Sequence, residues 1–156
     1  MTKFDKSVRQ TRTVIIAVFN KIWGKWRLSC LSQKGRNMEK FISIKENVQT
    51  EIVVKKSKFI CNLIKIESQE EAEDYIRKIK KKYYDARHNC VAYRVIENEQ
   101  VVEKSSDDGE PSGTAGGPML NILQKNNLGN ILVVVTRYFG GILLGTGGLV
   151  RAYSDA

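Results

Sequence analysis

Five consecutive aliphatic residues, Ile131-Leu132-Val133-Val134-Val135, most tightly constrain what this chain can fold into. A strand with one wet face alternates apolar with polar, so an unbroken run this short predicts a strand covered on both faces. Glycine-rich sequence brackets it. Before it runs Ser105-Ser106-Asp107-Asp108-Gly109-Glu110-Pro111-Ser112-Gly113-Thr114-Ala115-Gly116-Gly117-Pro118, and after it Thr136-Arg137-Tyr138-Phe139-Gly140-Gly141-Ile142-Leu143-Leu144-Gly145-Thr146-Gly147-Gly148-Leu149-Val150-Arg151. Glycine is costly to order and buries no side chain. So many of them beside a buried strand predict that backbone closely approaches something there, either a ligand or another segment.

The remaining pattern supplies partners for that strand. Val48–Lys56 and Lys58–Ile66 read as two strands joined tightly around Ser57, rich in β-branched residues. Ser68 with Glu71 three residues on is a capping box. The helix it opens places Ala72, Ile76, Ile79 and Tyr83 on one face. Glu70, Glu71, Glu73 and Asp74 crowd its start and Lys78, Lys80, Lys81 and Lys82 its end, as the helix dipole favours. Asn89–Ile96 and Gln100–Lys104 form the next hairpin, then come a helix Pro118–Lys125, the strand Asn130–Tyr138, and a helix from Gly148 onward. Strand and helix in the order ββαββαβα predict an α/β class, specifically an α+β two-layer sandwich, and not a doubly wound dinucleotide fold.

Charge divides the chain unevenly. Residues 1–37 hold nine Lys and Arg against Asp5 alone, whereas residues 38–156 hold seventeen against sixteen acids. The net charge of +9 therefore belongs to the leader, and is weak evidence for a nucleic-acid surface in the patterned part. Residues 1–37 show neither strand alternation nor a capped helix. They read either as a leader that is not natively translated, with Met38 as the start, or as a basic arm. Cys30, Cys61 and Cys90 form no C-x-x-C pair, which suits a reducing cytoplasm better than a disulfide framework or zinc site. No stretch reaches membrane-spanning length, and Val14–Phe19 is short for a secretory core.

The candidate site residues lie in and around the glycine-rich runs. Gly145-Thr146-Gly147-Gly148 precedes a helix, so its free N–H groups could face an anion; close helix–strand packing explains the same glycines equally well. Neither G-x-G-x-x-G nor G-x-x-x-x-G-K-[ST] is present, which counts against Walker-type nucleotide hydrolysis. Asp107, Asp108 and Glu110 could ligate Mg²⁺, the one candidate cofactor, or build an Asp-Gly turn. Ser112 and Thr114 could donate to phosphate or cap the next segment. Arg137 and Arg151, at either end of the second glycine run, suit a phosphate or carboxylate, or salt bridges to Asp107 and Asp108. His88, with Arg87 beside it, is the only histidine; a general base needs a nucleophile that no spacing here supplies.

Lys56-Ser57-Lys58-Phe59-Ile60, Asp85-Ala86-Arg87-His88-Asn89-Cys90-Val91-Ala92-Tyr93, Ser106 to Gly116 and Val135 to Tyr153, taken in order, resemble the YigZ/IMPACT family. The resemblance spans about Val48 to Ala156 and leaves residues 1–37 outside it. It implies a ribosomal-protein-S5 domain-2-like fold, with a second, ferredoxin-like domain in bacterial members that this sequence lacks. Eukaryotic relatives carry an added N-terminal interaction domain and regulate translation in amino-acid starvation, a stress response, by competing for a kinase activator. For this chain the resemblance implies a translation-associated regulator. The loops would bind RNA phosphates or a ribosome-linked partner through Arg87, His88, Ser112, Thr114, Arg137, Gly145–Gly148 and Arg151. The alternative is an enzyme or sensor for a phosphorylated ligand with metal at 107–110. No catalytic residue carries over from the family.

Overall fold

A computed structural model describes residues 41–98 and 100–156, so the expectations for residues 1–37 lie outside the described residues. Among the described residues five strands and three helices occur in order: β1 Val48–Val54, β2 Ser57–Lys65, α1 Gln69–Lys82, β3 His88–Glu97, β4 Gln100–Ser106, α2 Gly116–Lys125, β5 Ile131–Tyr138 and α3 Thr146–Asp155. The expected mixed α/β class holds. The sheet is antiparallel throughout, in the order β1-β2-β5-β3-β4. The last strand made is thus the middle one.

Both faces of β5 are covered, which is why its sequence does not alternate. On one face Leu132 and Val134 join Ile60, Ile64, Val91, Tyr93 and Val95 beneath Ala72, Ile76 and Ile79 of α1. On the other, Ile131, Val133 and Val135 join Phe59, Cys90 and Ala92 beneath α2 (Met119, Leu123) and α3 (Leu149, Ala152, Tyr153). Helices pack against both faces, with the sheet between them.

Local chemistry sets the element ends. The Glu71 amide donates to Ser68 Oγ at 3.1 Å, and Glu71 Oε2 accepts from the Glu67 amide at 2.8 Å, so the capping box reaches back one residue further than usual. The hairpin between β1 and β2 turns on Lys55 and Lys56 rather than Ser57, because Val54 pairs with Ser57. Both lysines have positive φ, 45° and 66°, where a two-residue turn normally recruits Asn or Gly. α2 starts at Gly116, before Pro118, because the Asp107 carboxylate accepts from the Ala115 and Gly116 amides. α3 starts at Thr146, its first turn closed by the Leu149 amide donating to the Gly145 carbonyl at 2.9 Å. Gly145 makes that entry at φ +75°.

Candidate functional site

One end of the sheet gathers almost every candidate residue. Direct pairing of Phe59 with Arg137 and of Arg137 with His88 aligns the start of β2, the end of β5 and the start of β3. The end of α1 reaches the same rim, since Lys80 Nζ lies 2.6 Å from Asp108 Oδ1. The loop 107–115 leads from there into α2, and the loop 139–145 into α3.

At its centre is a buried polar network. Strand alternation puts Arg137 on the face of Val133 and Val135, beneath α3. There its Nη1 donates to Glu110 Oε1 at 2.6 Å, with both side chains almost fully buried. Tyr153 Oη donates to the same oxygen at 2.9 Å, and Cys90 Sγ lies 3.3 Å from Tyr153 Oη. Arg137 Nη2 reaches Ser57 Oγ at 3.4 Å, and its guanidinium lies over the rings of Phe59 and Phe139. Arg137 Nε is buried with no partner. His88 Nδ1 lies 2.9 Å from the Asp108 carbonyl, so that nitrogen carries the donated proton, and Nε2 stands 4.0 Å from Glu110 Oε1.

The acidic loop turns inward in the same way. Asp107 Oδ1 accepts from the amides of Ala115 and Gly116 at 2.9 and 2.8 Å, and Oδ2 from Gly113 at 2.8 Å. Burial works against its charge, but these three amides overcome it and hold the carboxyl below its ordinary value. Asp108 Oδ2 accepts from the Asn89 amide at 2.7 Å while Oδ1 takes Lys80. Asp107, Asp108 and Glu110 therefore face three different sets of donors. Among the described residues no cluster of three or more His, Cys, Asp or Glu is arranged to hold a metal ion.

Of the other candidates, Thr114 is buried and donates to the Pro111 carbonyl at 2.6 Å. Ser112, Arg87 and Arg151 are exposed or half-exposed at the surface, as are Gly145, Thr146 and Gly147 at the start of α3, which has no side-chain cap. Gly148 is likewise outside the core. Two glycines of the glycine-rich runs mark close approach, and what approaches is the backbone of the chain itself. A Cβ at Gly140 would lie 2.0 Å from the Lys56 carbonyl carbon, and one at Gly116 would lie 2.6 Å from the Ser106 amide nitrogen.

Sequence reasoning does not single out Ser57, Tyr153, Phe139 or the lysine turn. Tyr153 falls there only within the helix expected from Gly148 onward, and Ser57 is only a joint between two strands. Burial pushes the Cys90 thiol up to about 12, helped by the nearby carboxylates, and also raises the Tyr153 phenol. Among the described residues no helix is long and apolar enough to cross a membrane.

The model of the Impact N-terminal domain matches residues 55–156, which include every network residue. The IMPACT family member YvyE of Bacillus subtilis is 52% identical over 119 residues, covering 76% of this chain and 54% of that protein. The IMPACT family member YigZ of Escherichia coli is 48% identical over 101 residues, covering 64% and 50%. A crystal structure of a hypothetical protein, 45% identical, superposes with a TM-score of 0.63 over 70% of this chain and 54% of that one. The chain spans about half the length of the curated relatives it matches.

Proposed function

The chain belongs to the IMPACT family through its Impact N-terminal domain, and from that premise we propose that it is a translation-associated regulatory domain. It acts by binding rather than by catalysis. Its contact surface is the glycine-rich end of the sheet, and its partner is an anionic component of the translation machinery, either RNA phosphates or a ribosome-linked protein.

One observation carries this reading: at that end the carboxylates of Asp107, Asp108 and Glu110 turn inward onto protein donors, while Arg87, next to His88, and Arg151, on α3, stay outside the core. The first turn of α3 adds a dipole end without a side-chain cap. Arg137 supports the surface from beneath. It is buried against Glu110, so its part is to hold the two glycine-rich loops together.

Co-sedimentation of the full chain with purified ribosomes over a salt series tests the proposal. Contacts to phosphate or carboxylate weaken steeply as salt rises. The expected result is association that fades with salt and is lost in the Arg87→Glu/Arg151→Glu variant. Association indifferent to both salt and the two substitutions, or none at low salt, overturns it.

A further inference from the structure

Most of the loop between β5 and α3 is turned away from the core. In Ile142-Leu143-Leu144 only Leu144 packs inward, against the core beneath α2 and α3. Leu143 is 82% exposed, Ile142 42% and Phe139 46%. Contiguous apolar exposure of this kind marks a contact surface on a folded domain.

The tongue is also held in shape. Gly140 sits against the Lys56–Ser57 peptide, with its amide donating to Ser57 Oγ at 3.2 Å. Gly141 and Gly145 take positive φ, 83° and 75°, which fixes the bends on either side of Ile142 and Leu143. Phe139 rests against the Arg137 guanidinium. A loop held this way loses little freedom on binding.

Charge says what covers it. Lys55 and Lys56, the latter against Gly140, enter no ion pair among the described residues. The same holds of Lys81 and Arg87 at this rim. The carboxylates there are already engaged: Asp107 by amides, Asp108 by the Asn89 amide and Lys80, Glu110 by Arg137, and Asp85 by the Tyr138 hydroxyl at 2.8 Å. Holding two lysines at positive φ in a turn that favours Asn-Gly opposes local preference and displays both ammonium groups.

We infer that the tongue Phe139–Leu144 and the Lys55–Lys56 turn form one docking site for an acidic polypeptide segment that carries a large aliphatic side chain. Leu143 and Ile142 supply the apolar contact, and the lysines pair with flanking carboxylates. Phe139 is the one ring in the tongue and it rests against the Arg137 guanidinium, while Ile142 and Leu143 give bases nothing to stack on, which favours protein over RNA. A two-fold contact between copies would bring together two patches of the same sign. The inference rests on the proposed use of this end of the sheet and names the partner's chemistry.

Fluorescence anisotropy with a labelled peptide of Glu-Leu-Glu repeats tests it on the full chain. Labelled oligouridine and phosphatidylserine vesicles serve as the other arms. The peptide is expected to bind, weakening at least about tenfold in Leu143→Ser, which removes an exposed apolar contact, and comparably in Lys55→Glu/Lys56→Glu. Circular dichroism should show both variants folded as the parent. No peptide binding, affinity unchanged in either variant, or dependence on Leu143 seen only with oligouridine or vesicles overturns it. If ribosome association still needs Arg87 and Arg151 while Leu143→Ser has no effect in any arm, the docking site fails and the proposed function stands.

Discussion

Without the Arg137 guanidinium, the Glu110 carboxylate would remain buried with only Tyr153 donating to the shared oxygen. Breaking a buried pair by removing one partner costs about 3–5 kcal/mol, because the other charge stays desolvated. Arg137→Ala should therefore lower unfolding free energy by that order in urea denaturation. Arg137→Lys should recover little, since an ammonium cannot span Glu110, Ser57 and two aromatic rings at once. A loss below about 1 kcal/mol, the scale of an exposed pair, would contradict the burial of this contact. The sequence invites a different view of Arg137, because it stands beside Tyr138-Phe139-Gly140-Gly141 and looks free to meet an anion. The signal for its burial is alternation with Val133 and Val135, and that becomes decisive only once α3 is known to cover that face.

At the scale of elements, Asp107 ties the acidic loop to the start of α2. Its folded carboxyl lies below the ordinary value while the unfolded chain's does not. The unfolded state therefore binds the proton more readily as pH falls. The stabilisation is complete above the ordinary carboxylate range and disappears as pH drops through the lowered folded value. Thermal unfolding monitored from neutral to acidic pH should show a steep acid limb, and Asp107→Asn should flatten it and cost about 1 kcal/mol at neutral pH, as lost caps do. An unaltered acid limb in the variant would assign that pH dependence elsewhere. Element identities are readable because periods and caps are local: Ser68, Glu71 and the lysine-rich end of α1 lie within one stretch. The start of α2 is not, because the carboxylate that caps it lies nine residues upstream.

Across the whole molecule, the class of fold is legible in the sequence and the neighbours of β5 are not. Hydrophobic period tells a strand from a helix, but it carries no record of which strands pair. The placement of β5 between β2 and β3 is what brings Phe59, His88 and Arg137 to one level. It also turns the glycine-rich runs into a single rim with the end of α1. In sequence the acids of that rim read either as candidate metal ligands or as a turn, because spacing alone does not reveal the four amides, the lysine, the arginine and the tyrosine that meet them. The function proposed for the chain depends on that rim being the surface its partner touches. Hydrogen–deuterium exchange of the full chain, with and without ribosomes, reads this directly. Protection is expected over residues 84–88, 107–117 and 139–151. Protection confined to the opposite end, over 66–69 and 126–130, or no protection under conditions where the two co-sediment, would contradict it.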